Sequence, residues 1–218
     1  MRLSEKTLEL NFCSQFAAAS GRAILWYGLT QLEEAKLGFD VATRVGGRSL
    51  LFQVKASSHT LVRSGRRRFR LPHDQLVELR KLVRPGRPRR VFYALPLVGT
   101  SGELAAKGGH VFANSWFLDV STLASTPPPT TRSGSPRRNK VHYADVAPHS
   151  VVVHSEPVEY RLLSSQELVA AVEQPRGALT DASEGNLELA SVTRYLAETR
   201  RARWGRLVVA VLLGNDRP

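Results

Sequence analysis

Three side chains near the start of the chain have the types and spacing to act together: Asp40, Gln53 and Lys55. A hard divalent cation such as Mg²⁺ takes oxygen ligands and keeps several of its waters. A carboxylate (Asp40), an amide oxygen (Gln53) and the neighbouring backbone carbonyl of Val54 could hold such an ion against a substrate phosphate. A lysine alongside can orient or deprotonate the attacking water and offset charge that develops on the phosphate. Lys55 stands two residues beyond Gln53 and fits that part.

The element that must position them is residues 37–57, where two alternating runs flank Gly46-Gly47 in the manner of a tight hairpin. If Val45 and Arg48 close the turn, paired positions sum to 93. Phe39 then faces Val54, Val41 faces Phe52 and Thr43 faces Leu50, which makes one side apolar. On the other side Asp40 lies across from Gln53, with Cβ atoms about 4.5 to 5.5 Å apart, and Lys55 follows on the same face. A helix over 4–19 with Ser4 as N-cap should pack on this hairpin through Leu8, Phe12, Phe16 and Ala19. Glu5 and Glu9 fall on or beside that stripe, and a buried carboxylate needs a partner. Glu5 suits the helix dipole.

Asp40 in Gly38-Phe39-Asp40, followed a dozen residues later by Gln53-Val54-Lys55, resembles the core motif of the PD-(D/E)XK nuclease superfamily, the restriction-endonuclease-like fold. Gln stands where many members carry Glu, and is similar to the Gln-x-Lys forms of Mrr-type restriction nucleases. The run from Glu33 to Asp40 resembles a stretch in uncharacterised bacterial members, and Gln75 is similarly placed to a residue in Holliday-junction-resolvase-like relatives. The resemblance covers residues 4–120. It implies a metal-dependent DNA endonuclease using Mg²⁺ or Mn²⁺ and leaving 5′-phosphate ends, of a kind that serves antiviral defence or mobile elements. It further implies Asp40, Gln53, the Val54 carbonyl and Glu9 at the metal and Lys55 at the water, with Glu34 able to reach the site from a short helix. Gln53 removes one negative charge, so a catalytically inactive nucleic-acid-binding subunit of a larger complex stands as the alternative.

Charge points the same way. The chain carries 31 Lys plus Arg against 19 Asp plus Glu, a net charge of +12. Residues 61–90 hold eleven basic side chains and two acidic ones, so the surplus follows the hairpin directly. Clustered arginine is the footprint of a phosphate-backbone binder, and Arg63, Arg66, Arg67, Arg68 and Arg70 are the candidate contacts. Residues 66–72 alternate like a third strand with the arginines outward. Residues 121–140 are Pro- and Ser-rich and read as a flexible basic loop, adding Arg137 and Arg138. DNA is favoured over RNA as partner, and the apolar C-terminal run at 207–213 is either a closing strand or a contact for a partner chain, with a homodimer or partner subunits as the expected assembly.

At 218 residues the chain is long enough for a sizeable core. The pattern predicts an α/β fold with a restriction-endonuclease-like core over 1–165, a central mixed β-sheet flanked by helices, and a C-terminal helical and strand extension over 166–218. Residues 91–98 should form a strand buried on both faces, residues 110–120 another, and Ser164-x-x-Glu167 a capping box. A single cysteine and no signal-peptide pattern suit the cytoplasm, and no apolar run is long enough for a membrane helix. The scattered histidines, with no Walker A loop and no Gly-x-Ser-x-Gly elbow, argue against zinc, nucleotide and serine-hydrolase sites.

Overall fold

The computed structural model describes residues 1–45, 48–61, 63–83, 89–123, 126–130, 140–173 and 208–212. In chain order the elements are α1 (Glu5–Ser20), β1 (Ile24–Gly28), α2 (Gln31–Leu37), β2 (Val41–Val45), β3 (Arg48–Val54), β4 (His59–Thr60), β5 (Arg67–Pro72), α3 (His73–Leu82) and β6 (Arg89–Pro96). There follow α4 (Ser101–Ala106), β7 (Ser115–Asp119), β8 (Val141–Ala147), β9 (Ser150–Val153), β10 (Glu156–Arg161), β11 (Leu163–Ser164), α5 (Ser165–Glu173) and β12 (Val208–Leu212). The fold is α/β, with a mixed central sheet flanked by helices. Among the described residues that sheet has seven strands in the order β11-β7-β6-β3-β2-β1-β12. β3 runs parallel to β6 and antiparallel to β2, so it sits centrally and is covered on both faces.

The hairpin register is the one the alternation requires: Val41 pairs with Phe52, Thr43 with Leu50 and Val45 with Arg48. Its turn at Gly46-Gly47 lies outside the described residues. The two-faced pattern needs a correction. Val41, Phe52 and Val54 join the core under α1, but Phe39 packs into the opposite core with Ala42 and Leu51. β2 begins only at Val41, and Phe39 follows Gly38, whose φ of +77° ends α2, so strand alternation does not extend back to it.

α1 starts as read, with the Ser4 side chain accepting from the Thr7 N–H, and ends at Gly21 in the left-handed conformation. Leu8, Phe12 and Phe16 are fully buried, and the Phe12 ring meets Phe52 at 5.0 Å. Ala19 is exposed, and Ala17 and Ser20 are buried in the last turn instead. This aromatic cluster, which includes Trp26, Phe112 and Phe117, fixes α1 on the sheet and so fixes where Glu5 and Glu9 project.

The expectation of a single sheet is also corrected. β5 does not join the hairpin; it enters a second sheet in the order β10-β9-β8-β5-β4. Phe69, Leu71, Val146 and Val151 from that sheet meet Leu76 and Leu79 of α3 and Leu51 of β3 in a second core. Phe69 and Leu71 of β5 cover this core while Arg68 and Arg70 stand on the strand's other side; Arg67, at the start of the strand, has the parity of Phe69 and Leu71. Residues 110–120 make a 3₁₀ turn at Phe112–Asn114 before β7, and the Ser164/Glu167 capping box opens α5. α5 contributes Leu168 and Val172 to the core under α1, and β12 pairs antiparallel with β1. Residues 174–207 of the C-terminal extension and the basic loop residues Arg137 and Arg138 lie outside the described residues.

Candidate metal centre

Asp40, the residue just before β2, meets Gln53 near the end of β3, at the end of the hairpin away from its turn. Asp40 donates its backbone N–H to the Phe52 carbonyl at 2.9 Å, and its Oδ2 accepts from the Val54 N–H at 2.7 Å. Gln53 Nε2 lies 2.8 Å from both Asp40 carboxylate oxygens and 3.2 Å from the Val54 carbonyl oxygen. Three oxygens therefore converge on one point, at present filled by an amide nitrogen. Asp40 is 9% exposed, Gln53 2%, Lys55 7% and Glu9 6%, so all four side chains are withdrawn from bulk water.

Burial pushes the Asp40 carboxyl from 3.8 up to about 7. The Val54 N–H and the Lys55 ammonium pull it down, and Glu9 and Glu34 push it further up. Glu34 is likewise raised, by burial first and then by Glu9 and Glu5 against the pull of Lys6 and Lys55. Burial thus disfavours the ionised carboxylate more than Val54 and Lys55 favour it, and a cation placed beside it would shift the balance toward the charged form. The donor set of two carboxylate oxygens, a carbonyl and an amide suits a hard cation. Among the described residues no three His, Cys, Asp or Glu side chains cluster as metal ligands, so any such centre depends on the amide and the carbonyl.

α1 places its two acids differently from expectation. Glu5, assigned to the helix dipole, accepts from the Ala56 N–H at 3.2 Å and stands 4.0 Å from Lys55 Nζ. Glu9 is buried and accepts from Lys6 Nζ at 2.6 Å. Lys55 is anchored by its own N–H, which donates to the Ala94 carbonyl of β6 at 3.0 Å.

Gln75, in the first turn of α3, reaches the centre directly: its Nε2 donates to Gln53 Oε1 at 2.8 Å. Gly38 allows α3 to come this close, because a Cβ there would lie 3.0 Å from the Gln75 carbonyl oxygen. Lys55 lies between two clefts. One, of about 640 Å³, is lined by Arg2, Glu5, Ser57, Arg70 and Pro72; the other, of about 470 Å³, by Glu34, Lys36, Asp74, Gln75 and Glu78.

The arginines do not present a free row. Arg68 grips Asp145 with two hydrogen bonds of 2.6 and 2.8 Å, Arg67 pairs with Glu103 at 2.6 Å and Arg66 with Glu159 at 3.1 Å. Alternation puts Arg68 and Arg70 on the side away from Phe69 and Leu71 but leaves Arg67 on their side, and it does not reveal the acids arriving from β8, α4 and β10. Arg70 is exposed on the first cleft, and Arg63 is exposed in the turn before β5.

Comparison with protein-family models, curated proteins and solved structures found no match to this chain. No helix among the described residues is long and apolar enough to cross a membrane.

Proposed function

We propose that the chain is a metal-dependent nuclease of the PD-(D/E)XK type, hydrolysing phosphodiester bonds in DNA with Mg²⁺ or Mn²⁺, on a restriction-endonuclease-like core. The observation that carries this is the convergence of both Asp40 oxygens and the Val54 carbonyl on one buried point beside Lys55. Asp40, Gln53 and the Val54 carbonyl would hold the ion, which when bound supplies Lewis acidity to the scissile phosphate and an acidified water. Lys55 opens into both clefts, where its ammonium can orient the attacking water and offset charge on the phosphoryl oxygens. Arg70 and Arg2 line the larger cleft and supply positive charge to a phosphate backbone there. Glu9 backs the centre from α1 and adds negative charge that favours a cation.

Nicking of supercoiled plasmid with Mg²⁺ or Mn²⁺ tests this reading: wild type should produce nicked and linear forms, whereas Asp40→Ala and Lys55→Ala should lose them. Retention of cleavage by both variants would sink it. One observation favours a second reading, a nucleic-acid-binding subunit without cleavage: the Gln53 nitrogen occupies the point where the oxygens meet. That reading predicts salt-sensitive DNA binding with no products under any divalent ion.

A further inference from the structure

We propose that Gln75 is a positioning residue that turns the Gln53 amide, so that oxygen replaces nitrogen at the Asp40 carboxylate when a divalent cation enters. The inference rests on the metal reading above and names the device by which a Gln can serve there.

The two ends of a glutamine amide are nearly equal in shape but opposite in hydrogen bonding. Gln53 Nε2 now donates into three oxygens, and an amide NH₂ cannot ligate a metal. Turning Gln53 alone would set its NH₂ against the NH₂ of Gln75, donor against donor. Turning both amides resolves this. Gln53 Nε2 then donates to Gln75 Oε1, and Gln53 Oε1 joins Asp40 and Val54 in an all-oxygen set. Gln75 Oε1 is buried and, among the described residues, has no hydrogen-bond partner. An orphaned buried acceptor is costly, and it is the atom that the turned state requires. In the absence of a cation the turned state would press Gln53 Oε1 against an anionic carboxylate, so the present arrangement is the metal-free one.

The test is a Mg²⁺ titration of the full chain at pH 8, followed by ¹⁵N–¹H correlation of backbone and side-chain amides. The side-chain NH₂ signals of Gln53 and Gln75 should move together, with the same Mg²⁺ dependence as the Val54 backbone amide. Gln75→Leu should raise the Mg²⁺ dissociation constant about tenfold, the equivalent of one buried hydrogen bond. Gln75→Glu, which keeps an acceptor, should bind Mg²⁺ at least as tightly as wild type. If Gln75→Leu does not fold, Gln75→Met carries the same expectation. Binding of Mg²⁺ with the Gln53 NH₂ signals unmoved and an unchanged constant in Gln75→Leu would overturn the relay and leave the metal reading standing. No response to Mg²⁺ at Asp40, Val54 or Lys55 would overturn both.

Discussion

Replacing Asp40 by Asn in the metal-free chain removes a carboxyl that burial holds at about 7 instead of 3.8. The folded state therefore keeps its proton where the unfolded chain has lost it. Between pH 4 and 7 the folded state binds more protons, so the stability contributed by this group is present at low pH and lost as pH rises through 7. Three pKa units correspond to about 4 kcal/mol, and water reaching the adjoining clefts should reduce this to about 2 kcal/mol. An asparagine in its place would escape the penalty, and it has a fully bonded alternative: the new NH₂ donates to Gln53 Oε1, Gln53 Nε2 to Gln75 Oε1, and the Val54 N–H to the new amide oxygen. In EDTA, the melting temperature of Asp40→Asn relative to wild type should thus climb by about 4–8 °C between pH 4.5 and 8, read by calorimetry or circular dichroism. In the same background Gln75→Leu should cost about 1 kcal/mol more than it does in wild type, because the turned amide now uses Gln75 Oε1. A pH-independent difference between Asp40→Asn and wild type would refute the electrostatic argument, and an additive double-mutant cycle would refute the bonding pattern.

Other outcomes follow from single contacts. Gly38→Ala places a Cβ 3.0 Å from the Gln75 carbonyl at a φ of +77°, and should destabilise the chain by about 1–3 kcal/mol in urea titration. Phe12→Ala empties the centre of the aromatic cluster and should cost about 3–5 kcal/mol by the same measurement. His142 is buried against His73, and burial, then His73 and Arg80, lower its pKa to about 4. Its neutral form is stabilised only in the folded chain, so stability should fall as pH drops from 6.5 through 4, and His142→Gln should flatten that part of the acid-denaturation profile. Arg68→Ala leaves Asp145 with His154 at 2.7 Å as its one remaining side-chain partner among the described residues, and should weaken the second sheet more than it weakens DNA binding in a salt-dependent retention assay.

The parts of the centre that were legible in the sequence are those joined by short stretches of chain. Period-2 patterning sets the register from Val41 with Phe52 to Val45 with Arg48, which brings the end of β3 level with the residue before β2, and the bonds from Gln53 and Val54 to the Asp40 carboxylate complete the meeting. α1 could be bounded from Ser4 and Gly21 because caps are local chemistry. Phe39 was misplaced because alternation was extended across Gly38, where the backbone leaves the strand. The second sheet was invisible for a different reason: β5 pairs with β8, more than seventy residues on, and nothing in the alternation of residues 66–72 says which edge it joins. The arginine pairs were lost with it, since Asp145 and Glu159 come from that sheet.

The reach of Gln75 into the centre was the least legible feature, and it bears on what Gln53 can do. Read alone, glutamine at this position is a carboxylate with its charge removed, which weakens any cation site. Docked against α3 it is one half of an amide pair in which donor and acceptor can exchange ends, with Asp40 on one side and, on the other, an acceptor unpaired among the described residues. A glutamate at position 53 would add a fourth acid to the neighbourhood of Asp40, Glu9 and Glu34, two of which are already held above their ordinary pKa values. A neutral side chain that can present either end avoids that repulsion in the metal-free chain and still offers oxygen to an ion. On this argument the departure from the acidic motif is matched by the helix packed behind it, and Gln53→Glu should bind Mg²⁺ more tightly only at the expense of metal-free stability above pH 7.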